Sequence, residues 1–574
     1  MKKTLYFIAS MSLAFSAVSC NKSDGLGDDS ADLNNITEEQ VYADVTYTRR
    51  VLFDLYARTR EYTSTNKLTF SRMKDMNTTC CLMDNATDDG VGEMGSSVAK
   101  LNQYASGAIT ASMNPVANTH PWNWYYTAIR QANGFLENVD NSVLEEAEKI
   151  QSKAEARFLR ALYYHELYRW FGPFVISEKR EDPFDKTLVR ADEKTCVEWL
   201  VNEFTELAKP SSGLLAHPEG QDYGRASIGA ALAYKARTLL YAASPLHSES
   251  GVSWKAAADA ALEMIQYADN NGYYDLYVDS EAPEKSYAYL FNTRYNNEYI
   301  FFYNNEDGGN GELYNLFPPF NPWNTNKELS TCVTQEFVDA FDMLDGSQPF
   351  NYDPKTLRRT GIRTESGYDD QKPYANRDPR LDQTVLHDGM TWLVKGSNVT
   401  VDISTPDKWV SGYFVCKFLD DRVDHMNSGK TTMNFPSMRY AEVLLNYAEA
   451  INEAEDNGAA REKAVAQLNR IRKRAGITKD LKASDFTQDQ LRERIRRERR
   501  VELSWEEHRF FDIRRWKIAK DVIDGLEPTG ITRSGAIYSF KSFAKRSYAD
   551  RMNLSPIPVK DVNSCPGIWQ NPGY

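Results

Sequence analysis

The sequence predicts a mainly α-helical protein: stacked helix pairs that carry one large, loop-rich insertion with short strands. Three observations carry this reading. Apolar residues recur at helical spacing through most of the first 270 or so residues and again from about residue 434. The helices follow one another in pairs, with Ala, Gly and Ser where two axes would cross. Between about residues 273 and 433 that pattern gives way to Asn, Asp, Gly, Pro and aromatic residues.

The chain opens with Met1-Lys2-Lys3, an apolar run from Leu5 to Phe15, and the small or slim residues Ala17-Val18-Ser19 before Cys20. A charged start, an apolar middle and small residues at the end make a secretory signal peptide over residues 1–19. The run is too short to span a bilayer, which takes roughly 20 apolar residues. A cysteine at the cut site predicts lipidation at Cys20. Residues 20–35 (Asn, Lys, Ser, Asp, Gly) lack periodic apolar residues and read as a flexible tether. No later segment is apolar enough for a transmembrane helix.

The helices follow. "DVTYTRRVLFDLYARTREY" sets Val51, Leu52, Leu55 and Tyr56 at helical spacing, and "PWNWYYTAIRQANGFLENV" starts a helix at a proline. "SKAEARFLRALYYHELYRWFGP" is apolar on two stripes, one through Phe158 and Leu162, the other through Leu159, Tyr163 and Trp170, so it is sandwiched between neighbours. It is predicted to end at Gly172-Pro173 with a left-handed glycine cap. "TCVEWLVNEFTELAK", the Ala-rich "GRASIGAALAYKARTLLYAASP" and "WKAAADAALEMIQYADNNGYY" continue the series. "RYAEVLLNYAEAINEA" and "AREKAVAQLNRIRKRAGI" form a late pair around an Asp-Asn-Gly loop. Helix pairs with a period near 34 residues indicate about four irregular, tetratricopeptide-like repeats. "NEYIFFYN" and "SGYFVCKFL" are strand-like pieces of the insertion.

Composition excludes some functions. The formal charge of −13 becomes −15 once Lys2 and Lys3 leave with the leader, which disfavours nucleic acid as a partner. "RERIRRERRVE" is as rich in Glu as a charge-laced helix needs, and is not a nucleic-acid patch. In "RRERRVELSWEEHRFFDIRRW", Arg497, Arg500, Glu502, Glu506, Arg509 and Asp512 are predicted to pair and lock the last helices. The cysteines match no metal spacing and read as buried thiols. "MDNATDDGVGE" clusters Asp84, Asp88 and Asp89 without calcium-loop spacing and reads as a solvated loop. No cofactor or metal is called for. No nucleophile elbow, zinc helix or phosphate loop is present, which points away from an enzyme.

The order "FPSMRYAEVLLNYAEAINE", "LNRIRKRAGI", "LRERIRRERRVELSWEEHRFFDIRRW" and the ending "NLSPIPVKDVNSCPGIWQNPGY" resembles the SusD/RagB family of Bacteroidetes outer-membrane lipoproteins. The lipoprotein leader and "MDNATDDG" agree with it. His508 stands where many members carry glycine, which puts that local turn in doubt. The resemblance implies one SusD-like domain over residues 36–574, coiled as a right-handed superhelix. Its helical repeats would cover about 36–272 and 434–525, its ligand-binding insertion about 273–433 and its extended C-terminal segment about 526–574. It also implies a non-catalytic, lipid-anchored protein at the cell surface, on the outer membrane. Such a protein captures a glycan and delivers it to a SusC-like, TonB-dependent β-barrel transporter.

A sugar site needs flat aromatic platforms for C–H faces and polar groups for hydroxyls. "NLFPPFNPWNTN" offers Phe317, Phe320 and Trp323 on a proline-stiffened loop, with Tyr314 before it; "NTHPWNWYYT" offers Trp122 and Asn123. Trp323, Trp122, Asn123, Tyr314, Phe320 and Trp392 are therefore the candidate ligand-binding residues, with Trp409 behind them. The alternatives are a peptide-binding receptor of the same family, a surface glycoside hydrolase with two carboxylates across a cleft, and a repeat scaffold that binds protein alone.

Overall fold

The structure, a computed structural model, describes residues 36–60, 83–92, 103–113, 120–182, 185–303, 331–394, 396–404, 411–424 and 434–574. Ten helices of seven or more residues lie among them: α1 (Val45–Arg60), α2 (Pro121–Asn138), α3 (Glu146–Phe171), α4 (Glu193–Leu207), α5 (Ile228–Ala243), α6 (Trp254–Asn271), α7 (Tyr440–Ala454), α8 (Gly458–Arg474), α9 (Gln488–Glu502) and α10 (Arg509–Arg515). Small polar residues start most of them. Asp192, Ser227, Ser253 and Asn457 each accept from the backbone N–H three residues on, and Thr487 and Gln490 form a reciprocal capping box on α9.

Each helix packs on the next. α2 lies on α3, α3 on α4, α4 on α5, and α5 on α6. The succession then leaps the insertion, because α6 packs on α7, which holds α8 and α9. The small residues of α5 explain the close neighbours: Ala230, Ala233 and Ala236 are fully buried. α3 is sandwiched as its two stripes predict, with Phe158, Leu159, Ala161, Tyr163 and Leu167 all buried.

The insertion is stitched to the stack rather than hung from it. Strand Tyr299–Tyr303 pairs antiparallel with Phe435–Arg439, which runs directly into α7. A small antiparallel sheet orders Gly90–Gly92, Thr331–Val333, Phe414–Val415 and Val385–Leu386. A second hydrophobic core gathers around it, including Phe337, Phe341, Tyr413 and Phe418, with Val501 and Trp505 reaching in from the end of α9. Cys196, Cys332, Cys416 and Cys565 are buried thiols; Cys20, Cys80 and Cys81 lie outside the described residues.

Buried ion pairs join the two cores. Glu502 is fully buried and meets three guanidinium groups: Arg439 at 2.8 Å, Arg380 of the insertion at 3.0 Å, and Arg474 of α8. They hold its carboxyl far below the usual carboxylate range, against the opposing effect of burial. Glu498, one turn earlier, pairs with Arg380 at 2.7 Å and Arg494 at 2.9 Å, and is lowered to about 2. Asp512 bridges Arg499 at 3.1 Å and Arg515 at 2.8 Å. The predicted locking network is present except at Arg497, whose guanidinium lies 3.8 Å from the Tyr352 ring centroid and pairs with no carboxylate among the described residues, and the network recruits the insertion as well.

Three expectations change. Asp84, Asp88 and Asp89 are buried and not in a solvated loop, because Arg509 clamps Asp88 with two bonds of 2.8 and 2.9 Å and Arg500 takes Asp89 at 2.6 Å. Gly172 ends α3 at φ +72°, ψ −136°, which is open to glycine but is not the left-handed helical cap. The doubt at His508 moves: His508 is right-handed at φ −83°, and the left-handed residues are Trp505 (φ +61°) and Glu507 (φ +65°).

Candidate functional site

A cavity of about 550 Å³ opens between the N-terminal two-thirds of α2 (Trp122 to Asn133), the segment after α3 and the C-terminal segment. That volume is within the range of small-ligand sites. Pro121 pre-sets the first turn of α2, and the His120 ring caps it, Nδ1 accepting from the Trp122 N–H at 3.3 Å. An accepting nitrogen must be unprotonated. Burial agrees, pushing the His120 pKa down to about 4.

Trp122 forms the inner wall. Its ring meets Phe171 edge-on at 5.3 Å and Tyr126 at 4.8 Å, leaving it 3% exposed. Tyr126, one turn on, is locked by the Val175 backbone: its hydroxyl accepts from Val175 N at 2.7 Å and donates to Val175 O at 3.2 Å. Ile129, Val175 and Ile568 complete an apolar wall. The segment after α3 is held in place by Asn133, whose amide donates to Ser177 O at 3.0 Å and Lys179 O at 2.9 Å, and by Arg130, which donates to Glu181 O.

The C-terminal segment forms the opposite wall and is strongly anchored. Arg190, itself buried, donates to the carbonyls of Phe171 and Pro173, both at 2.5 Å, to Trp569 O at 3.0 Å and to Asn571 Oδ1 at 2.8 Å. Asn571 in turn donates to Phe171 O and Ser555 O. Phe171 is the last residue of α3, so the ending "QNPGY" satisfies a helix-end carbonyl about 400 residues away in sequence. Gly567 allows the close approach, since a β-carbon there would sit 2.3 Å from Leu188 O.

The mouth is charged and balanced. Arg130, Lys179, Lys186 and Lys560 supply donors. Glu181, Asp182, Asp185 and Asp561 supply acceptors. Asp561 Oδ2 is buried without a hydrogen-bond partner, and burial raises the carboxyl's pKa. Aromatic and aliphatic walls below, with hydroxyl-bonding groups of both signs above, can hold a ligand that is apolar on its faces and polar at its edges.

Of the predicted residues, the structure brings Trp122 and Asn123 to this cavity, Trp122 in the wall and Asn123 exposed at the lip. Trp392 is buried in the second core at 5% exposure, far from a surface role. Tyr314, Phe317, Phe320, Trp323, Trp409 and Cys20 lie outside the described residues. Tyr126 and Asp561 escaped sequence reasoning. Tyr126 was legible one helical turn from Trp122; Asp561 was not, because nothing local ties residue 561 to α2. Among the described residues, no cluster of three His, Cys, Asp or Glu side chains could hold a metal, and no helix is long and apolar enough to cross a membrane.

Residues 291–574 match the SusD family model, and residues 40–240 match a model described as starch-binding, associating with the outer membrane. The chain is 26% identical to SusD-like protein P25 of Formosa agariphila over 460 residues, 75% of this chain and 76% of that one. A crystal structure of a SusD-like protein from Bacteroides fragilis superposes with a TM-score of 0.75 at 26% identity, covering 94% of this chain and 99% of that one. A laminarin-binding SusD-like protein shares the fold, with a TM-score of 0.57 at 20% identity, covering 93% and 100%.

Proposed function

The chain belongs to the SusD family of outer-membrane-associated binding proteins, and from that premise we propose that it captures a neutral glycan at the cell surface and passes it to a partner β-barrel transporter of the SusC type. The cavity beside α2 carries this reading. Its walls offer the partly exposed Tyr126, backed by the buried Trp122, to the C–H face of a sugar, and its mouth offers equal numbers of acidic and basic groups to the hydroxyls. A mouth with no excess of either sign favours an uncharged ligand over an acidic glycan. The lipid on Cys20 would hold the protein at the membrane, since more than one acyl chain gives stable anchoring.

The test is direct. Mature protein is titrated by calorimetry with soluble starch and laminarin, then incubated with each, and the products are sized. Binding with no shortening of the chain is the expected result, and Asn123→Ala, at an exposed position, weakens it without moving the melting temperature. Steady release of shorter sugars would make the protein a glycoside hydrolase instead. Binding of a peptide digest in preference to both glycans would make it a peptide receptor.

A further inference from the structure

Nine tryptophans lie among the described residues, and Trp569 alone is exposed, at 45%. It is rooted one residue beyond Ile568, which lines the cavity. One face of its ring is covered: the Arg190 guanidinium lies 3.9 Å from the ring centroid. Arg190 cannot swing away. Four of its five N–H donors go to the carbonyls of Phe171, Pro173 and Trp569 and to Asn571, and among these partners none is a carboxylate. Burial lowers its pKa to about 10 despite the nearby Glu193, so the ring also offsets a poorly compensated charge.

That arrangement explains why one face is covered. It does not explain why so large an apolar ring leaves its other side in water, on a segment held at both ends. Ile557 and Gln570 exchange two bonds of 2.7 and 2.8 Å just beyond it, and Arg190 N donates to Gly567 O at 3.0 Å just before it. An aromatic face fixed in advance loses little freedom when a ligand stacks on it.

We propose that Trp569 is a stacking platform for a pyranose ring, extending the cavity's site along the C-terminal lip so that the protein holds a run of sugars rather than one or two. The inference rests on reading the cavity as a glycan site. A ring stack of this kind changes affinity by about three- to tenfold.

Calorimetric titrations with maltoheptaose, laminariheptaose and the corresponding trisaccharides test it, on the unaltered protein and on Trp569→Ala, Trp569→Phe and Asn123→Ala. Trp569→Ala should weaken the bound heptasaccharide by about three- to tenfold and leave the trisaccharide within twofold. Trp569→Phe, which keeps a ring over Arg190, should fall between and keep the melting temperature. Asn123→Ala should weaken both lengths. If Trp569→Ala and Trp569→Phe bind both lengths as the unaltered protein does while Asn123→Ala is impaired, the platform is wrong and the glycan site stands. Equal losses on both lengths that track a fall in melting temperature would reduce Trp569 to a shield for Arg190. Binding of no sugar by the unaltered protein would overturn the glycan reading and this inference with it.

Discussion

His120 shows how one side chain ties the site to acidity. Its ring accepts a backbone N–H at the start of α2 and stacks on Phe171 at 5.7 Å. A proton on that nitrogen would break the cap. The folded chain therefore refuses the proton until about pH 4, while the unfolded chain takes it near 6.5. Between those values the unfolded state binds more protons, so stability rises with pH and is lost as the solution is acidified through that window. One such group contributes a slope of up to roughly 1.4 kcal/mol per pH unit. His165 and His508, also buried and also lowered, add to the same limb. Replacing His120 by Asn, which caps helices without titrating, should flatten the fall between pH 6.5 and 4 and leave the steeper carboxylate limb below pH 4 unchanged. Urea midpoints at pH 7, 5.5 and 4.5 measure this, and equal slopes in both proteins would remove His120 from the account.

At the scale of elements, what the chain reveals depends on how local the cause is. The long helices were legible because one face of a helix is written in residues three and four apart, and α2 through α9 lie where the periodicity put them. The short strands were half legible. "NEYIFFYN" contains the paired strand Tyr299–Tyr303, but only Phe414–Val415 of "SGYFVCKFL" pairs, because its partners at Cys332 and Val385 set its length. Asp88 and Asp89 were misread for the same reason. Their neighbours are Asn, Thr and Gly, which look solvated, while the arginines that bury them lie more than 400 residues away. The candidate site divides likewise. Trp122 and Asn123 were legible as a helix start rich in rings and amide; the facing wall at Asp561 and Ile568 is brought there by Arg190 and Asn571, and no local pattern announces it.

The whole molecule is joined at Glu502. Its neighbour Val501 belongs to the insertion's core and its neighbour Leu503 to that of the helices. The three arginines that meet it come from the insertion, from the strand leading into α7, and from α8. A charge this deep is stabilising only while its partners are present, and removing one member of a buried set typically costs about 3–5 kcal/mol. Glu502→Gln keeps the shape and removes the charge, leaving three buried cations short of an anion. Arg439 retains Glu298 and Glu506, and Arg380 retains Asp378 and Glu498, so the cations keep some compensation and the loss should fall near 3 kcal/mol. The more telling consequence concerns cooperativity. With the junction intact, helix loss followed by circular dichroism and burial of Trp505 and its neighbours followed by fluorescence should report one urea midpoint. In Glu502→Gln the two signals should separate, the insertion's core giving way first because it is the smaller and depends on α9 for Trp505. Separate midpoints in the unaltered protein, or coincident midpoints in the variant, would show that the strand pairing of Tyr299–Tyr303 with Phe435–Arg439 couples the cores and that the buried charges do not.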